Sequence, residues 1–215
     1  MTYLEVVNNV LRRMREEEVA NISQSTYSKM VGDFVNDAKG IIETSWDWSA
    51  LRTTLVVPTV ADTVTYSLTG SKDNLKVLDV INDTSNFFVE YMPSAWFRAK
   101  YYNNTPAPSG SPVYYSFNGV DTNGDTQVDV YPKPDSVYSL RFTCVIRKNL
   151  LSNNGDVLYI PSLPVIHLAI ALLARERGET GGTSAPEYFS IADKYLSDAI
   201  ALDAAKHPEE TVWYS

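Results

Sequence analysis

The side chains suited to chemistry are few and lie far apart. Asp121-Thr122-Asn123-Gly124-Asp125 gathers acidic and amide oxygens in the manner of a calcium loop. An EF-hand needs Gly at its sixth position and Glu at its twelfth, whereas here Gly is fourth and Pro132 is twelfth. The flanking residues alternate as strands do, so Asn123-Gly124 reads as a hairpin tip, where Gly supplies a positive φ. His167 stands among Ile166, Leu168 and Ile170 with no second His or Cys near it. It is expected to be buried or half-buried and satisfied by one hydrogen bond. His207 precedes Pro208 at a helix end, where positive charge suits the dipole. Cys144 falls on the apolar face of a strand and behaves as a small hydrophobe. No Gly-x-Ser-x-Gly elbow, phosphate loop, dinucleotide turn or His-Glu-x-x-His helix occurs, and Gly178-Glu179-Thr180-Gly181-Gly182 lacks the Lys of a phosphate loop. No residue is expected to serve catalysis, a metal or a cofactor. An enzyme using scattered carboxylates is the third reading, since two carboxylates acting together need no fixed spacing.

The elements that carry these residues change period twice along the chain. Thr2-Tyr3-Leu4-Glu5 is a capping box, and Leu4, Val7, Leu11 and Met14 follow as one apolar stripe. A second helix carries Tyr27, Met30, Val31, Phe34, Val35, Ala38, Ile41 and Ile42, with Ser23 or Ser25 as N-cap. Between residues 51 and 160 the period becomes two, in short runs separated by Gly, Asn, Asp and Pro turns, with one short helix over 94–102. Helices return after Pro161. Residues 163–177 are apolar almost all round and end at Gly178. Ser184-Ala185-Pro186-Glu187 is a further capping box, followed by Tyr188, Ile191, Ala192, Tyr195, Leu196, Ala199 and Leu202 at helical spacing.

The expected fold class is α+β. Helix pairs from residues 1–50 and 161–207 close a four-helix bundle, residues 51–160 form an inserted antiparallel β-sandwich or barrel, and 208–215 are a tail.

Composition narrows the class of partner. The 215 residues hold 18 Lys and Arg against 26 Asp and Glu, a net charge of −8 that lies almost wholly in the helical ends. A surface of that sign does not grip nucleic acid by releasing counterions from phosphate. The first residues mix Arg and Glu with apolar ones, so no signal peptide is expected. The apolar run over 163–174 is too short to span a bilayer, and no membrane partner is expected. A lone cysteine excludes an internal disulfide framework.

Two features point outward. The 14 tyrosines are the residue type enriched at protein interfaces, although half-buried β faces also hold many. After Pro208 the sequence runs Glu209-Glu210-Thr211-Val212-Trp213-Tyr214-Ser215. An aromatic pair at a chain end is unfavourable in water unless docked, either on its own domain or in a partner.

Several stretches resemble a known family. They are Phe34-Val35-Asn36-Asp37-Ala38-Lys39, Trp46-Asp47-Trp48-Ser49-Ala50-Leu51-Arg52-Thr53-Thr54, Tyr115-Ser116-Phe117-Asn118-Gly119 and Val130-Tyr131-Pro132-Lys133-Pro134. Together with the order of elements over nearly the whole chain, they resemble the head-to-tail adaptors of short-tailed phages, also called tail tubular protein A. The loop 103–111 matches no family pattern. The resemblance implies a non-enzymatic virion protein, assembled in the host cytoplasm, that forms a twelve-fold ring at the head–tail junction. The ring would join the portal protein to the tail nozzle protein and leave a channel through which genome DNA passes without sequence-specific binding. It implies that Val212, Trp213, Tyr214 and Ser215 dock on the portal. Asp121, Thr122, Asn123, Gly124 and Asp125 would then face the nozzle. An acidic lumen would repel phosphate and let DNA slide. The alternative is a carbohydrate-binding tail module that recognises a host surface glycan through its tyrosine-rich sheet.

Overall fold

A computed structural model describes residues 1–72, 74–103, 107–178 and 185–207. The chain divides into two compact units, one from Met1–Leu51 with the described part of Asn149–Ser215, the other from Arg52–Lys148.

In the first unit, α1 (Tyr3–Arg13) starts at the capping box of Thr2 and Glu5, with acid in its first turn and Arg12 and Arg13 in its last. It buries Val6, Val7, Val10 and Leu11. Ser25 is the N-cap of α2 (Thr26–Ser45), and its hydroxyl accepts the N–H of Ser28. Asn21 caps the short 3-10 turn Ile22–Gln24 just before it. Tyr3 lies over Gly32 of α2, where a Cβ would run into the phenol oxygen. Burial, then the charges of Asp33 and Asp156, raise the Tyr3 phenol to about 12. The segment 149–160 is tied to both helices. Asn36 donates to the Leu151 carbonyl and accepts its N–H, each at 2.9 Å, while Tyr3 donates its N–H to the Asp156 carbonyl at 2.7 Å.

The helix α4 (Ser162–Arg177) is in the middle of this unit and packs on α1, on α2 and on α5 (Ala185–Ala204). Its apolar residues on every side explain why it takes that place: Val165, Ile166, Ala169, Ile170, Ala171, Leu173 and Ala174 are all buried. Helix α5 runs antiparallel to α4. Tyr195 stacks on His167 at 4.3 Å between ring centroids, and Phe189 lies beneath the Arg175 guanidinium.

In the second unit, β1 (Arg52–Pro58), β8 (Ser139–Ile146), β3 (Leu75–Asn82) and β4 (Phe87–Phe88) form one antiparallel sheet in that order. The other sheet runs β2 (Thr65–Ser67), β7 (Thr126–Tyr131), β6 (Tyr114–Val120) and β5 (Glu90–Tyr91), with β5 parallel to β6. One apolar cluster joins them: Val80, Leu140 and Phe142 from the first meet Tyr66, Tyr115, Val128 and Val130 from the second. The helix α3 (Ser94–Asn103) packs on β6, with Trp96 edge-on to Tyr114 and Tyr131.

Of the expected four-helix bundle with an inserted β-sandwich or barrel, the bundle and the closed barrel are corrected, while two sheets joined by one apolar cluster fit the sandwich. Among the described residues there are five α-helices, one of them inside the β unit, and two separate four-stranded sheets, of which neither closes. Among the described residues α5 packs chiefly on α4 and buries only Ala192 and Asp203. A bundle needs each apolar stripe turned to a shared core. The α5 stripe is instead only partly covered: Ala192 is buried, Tyr188, Tyr195, Leu196 and Ala199 are half-buried, and Ile191 and Leu202 stand exposed.

Candidate interface sites

The hairpin tip predicted at 121–125 joins β6 to β7 and is braced from within. One carboxylate oxygen of Asp121 accepts the N–H groups of Asn123 at 2.7 Å and Asp125 at 3.0 Å. The bond from Asp125 N–H is the main reason its carboxyl is held below the usual range. Gly124 adopts φ +81°, which an L side chain resists. Asp125 is buried, and one of its oxygens accepts N–H groups of Gly70 at 3.1 Å and Lys72 at 3.0 Å. Its carboxylate therefore clamps the tip to the 70–72 loop. Thr122 and Asn123 are left exposed at the apex. Among the described residues no group of three or more His, Cys, Asp or Glu side chains is placed to hold a metal ion.

The other reactive side chains are committed to structure. Arg13 donates to Nε2 of His167 at 2.7 Å, and since a guanidinium only donates, Nε2 is the unprotonated nitrogen. Burial, then the Arg13 charge, lower the imidazole's affinity for a proton. Of the buried or half-buried histidine expected from the sequence, the structure has the half-buried form, bonded to Arg13. Cys144 is buried, its thiol pushed up to about 11 chiefly by desolvation. No described helix is long and apolar enough to cross a membrane.

A feature that sequence reasoning missed lies between the start of α4 and the last turns of α5. Leu163 and Pro164 on one side, and Tyr195, Ala199 and Leu202 on the other, enclose a groove of about 580 Å³. Leu202 is 74% exposed and Leu163 45%. Spacing alone signalled an apolar α5 face but not that it would stay uncovered. Asp203 sets the end of this helix. It accepts from the Trp46 indole at 3.2 Å, from the Ser49 N–H at 2.8 Å and hydroxyl at 2.5 Å, and from Lys206 at 3.0 Å. Burial pushes its carboxyl up, but the Ser49 and Lys206 bonds outweigh that and hold it below the usual range. The portal-docking residues expected from the resemblance, Val212, Trp213, Tyr214 and Ser215, lie outside the described residues, just beyond this end.

These parts are two apolar cores, a braced turn and a partly uncovered helix face. The family model described as SU10 adaptor protein matches residues 1–209, and the chain belongs to this family of phage head-to-tail adaptors. It is thus a structural component of a bacteriophage virion that meets other head and tail proteins. A search of curated proteins finds no match.

Proposed function

We propose that this adaptor is a non-enzymatic connector that docks beneath the portal as a twelve-fold ring and carries the tail nozzle. The observation that supports this most directly is the partly uncovered apolar face of α5, on which Ile191 and Leu202 stand exposed. A helix stripe rich in Leu, Ile and Tyr costs free energy in water unless an assembly covers it. Residues 212–215 follow that face and supply the aromatic anchors that dominate interface energy. The braced tip at 121–125 presents Thr122 and Asn123 toward the nozzle. Acids on the lumen keep DNA sliding, since like charges give no counterion-release affinity.

Light scattering and negative-stain imaging of the chain, alone and with its phage's portal ring, test the reading. About a dozen copies on a portal are expected, and no association across several salt concentrations would overturn it. Deleting residues 208–215 should leave a folded protein that no longer docks. Reversing several acids to Lys should slow DNA ejection if those acids line the channel.

A second reading, recognition of a host surface glycan, has one observation in its favour. Tyr91 and Phe117 lie exposed side by side, 5.9 Å between centroids, near a cleft lined by Arg98, Asn118 and Asp129. A glycan panel separates the two readings.

A further inference from the structure

We propose that β1 is an open sheet edge that pairs antiparallel with β1 of a second copy of this chain. The alternation of backbone bonds shows which groups are open. Thr59, one residue past β1, donates its N–H to the Tyr138 carbonyl at 2.8 Å, so at that pair the β1 and β8 sides face each other. Asp83 donates its N–H to the Ser139 carbonyl at 2.9 Å, so the next residue along turns toward β3 instead. Backbone groups alternate sides along a strand, and β1 runs against β8 from Arg52 opposite Val145 to Pro58 opposite Ser139 with no shift of register. Thr53, Leu55 and Val57 therefore bond β8. The N–H and C=O groups of Thr54 and Val56 point the other way, as does the Pro58 carbonyl. Among the described residues β1 is the last strand of its sheet. The edge is also poorly guarded. The edge strands β4, β2 and β5 are two or three residues long, whereas β1 has seven, with no bulge, no Lys and a single Pro at its end.

A second β1 fits this edge because the strand complements itself. Two antiparallel copies overlap over their full length when Leu55 lies opposite Leu55 on a two-fold axis. Thr54 of each copy then faces Val56 of the other, and these are the residues whose N–H and C=O are open, so each such pair exchanges both bonds. On the solvent face this register sets Thr54 beside Val56, which is 58% exposed in the free chain, and β-branched side chains favour such cross-strand contacts. On the inner face Leu55 and Val57 already pack against the apolar cluster, and the pairing carries that layer across the junction. Arg52, the charged residue of β1, falls opposite Pro58, which keeps the two guanidinium groups at opposite ends. Pro58 lacks its N–H only at the end of the ladder, where it limits the pairing to β1 itself. None of the other three edge strands offers seven residues to match. A two-fold contact closes on itself as a dimer and builds no ring, so it belongs to the free chain. There it covers a row of groups that would otherwise template misassociation.

Sedimentation velocity of the full chain, with no portal present, tests the pairing from about 5 to about 500 μM, the range in which so small a contact associates. A reversible monomer–dimer equilibrium is expected. Val56→Pro removes an N–H that β8 does not use and should weaken the dimer at least roughly tenfold, with the circular dichroism of the unaltered chain retained. Val56→Lys, at an exposed position, charges the edge without altering its backbone and should also dissociate the dimer; it decides the matter if the proline variant does not fold. Thr54→Cys and Val56→Cys chains, mixed and mildly oxidised, should cross-link faster than either alone, because only the mixture sets two thiols opposite each other. Cys144 is buried and takes no part. A monomer at every concentration, or an assembly larger than two, would overturn the proposal. So would a dimer that survives both Val56 substitutions with its fold intact, or cross-linking no faster in the mixture. Because no portal is involved, failure here leaves the connector reading standing, and failure of portal docking leaves this result standing.

Discussion

Helices α4 and α5 are neighbours in sequence and in space, and both repeat apolar residues at helical intervals. Yet α4 buries every residue from Pro164 to Ala174 except the half-buried His167, while α5 buries Ala192 and Asp203 among its described residues. The difference is not one of composition, since mean hydropathy over the two helices is alike. It lies in what surrounds them. Helix α4 has α1, α2 and α5 around it, and α5 has mainly α4. Periodicity says that a helix has a face to cover; it does not say whether the cover belongs to the same chain. In a protein built to assemble, that distinction separates stability from function.

Substitutions on the two helices should therefore differ in kind. Leu173 on α4 is fully buried, and Leu173→Ala should cost about 2–5 kcal/mol by urea denaturation, the range for a core cavity. A cost under 1 kcal/mol would mean that α4 is looser than its burial implies. The α1–α2 contact offers a second test of tight packing. Gly32→Ala puts a methyl against the Tyr3 hydroxyl and should cost about 1–3 kcal/mol. Adding Tyr3→Phe removes the obstructing oxygen and should recover part of that loss.

Asp203 sits between the two cases, a buried charge on an otherwise wet helix. Its folded-state carboxyl is held below its unfolded value, so it contributes stability above the usual carboxylate range, and this is lost as pH falls through the folded value. Asp203→Asn should cost about 1–2 kcal/mol at neutral pH, because charge-assisted bonds to Ser49 and Lys206 weaken. The gap between the two proteins should close as pH falls through the lowered pKa of the native carboxylate, where it too protonates. A gap that does not change with pH would show that shape, not charge, holds the α5 end.

Much of the fold was legible because local signals agree with it. Thr2 and Glu5 form the expected capping box, Ser25 is one of the two proposed N-caps, and α3 falls where a helix was expected among strands. Asn123-Gly124 marked the hairpin tip because only a few residue types accept its backbone. The bundle was misjudged because helix packing depends on which apolar faces meet, which no stripe encodes by itself. The bracing of the tip was also out of reach. Asp125 bonds Gly70 and Lys72, more than fifty residues earlier in the chain, and nothing local announces such a partner. The groove beside α5 was hidden for the same reason as the bundle error: both turn on whether Leu202 is covered.

Leu202 gives the smallest stability effect and the sharpest functional one. It is 74% exposed, so Leu202→Ser should change unfolding free energy by less than about 0.5 kcal/mol if nothing in the free chain covers it. A cost above about 1 kcal/mol would mean that the free chain itself covers Leu202, and the contrast between α4 and α5 would lose its functional meaning.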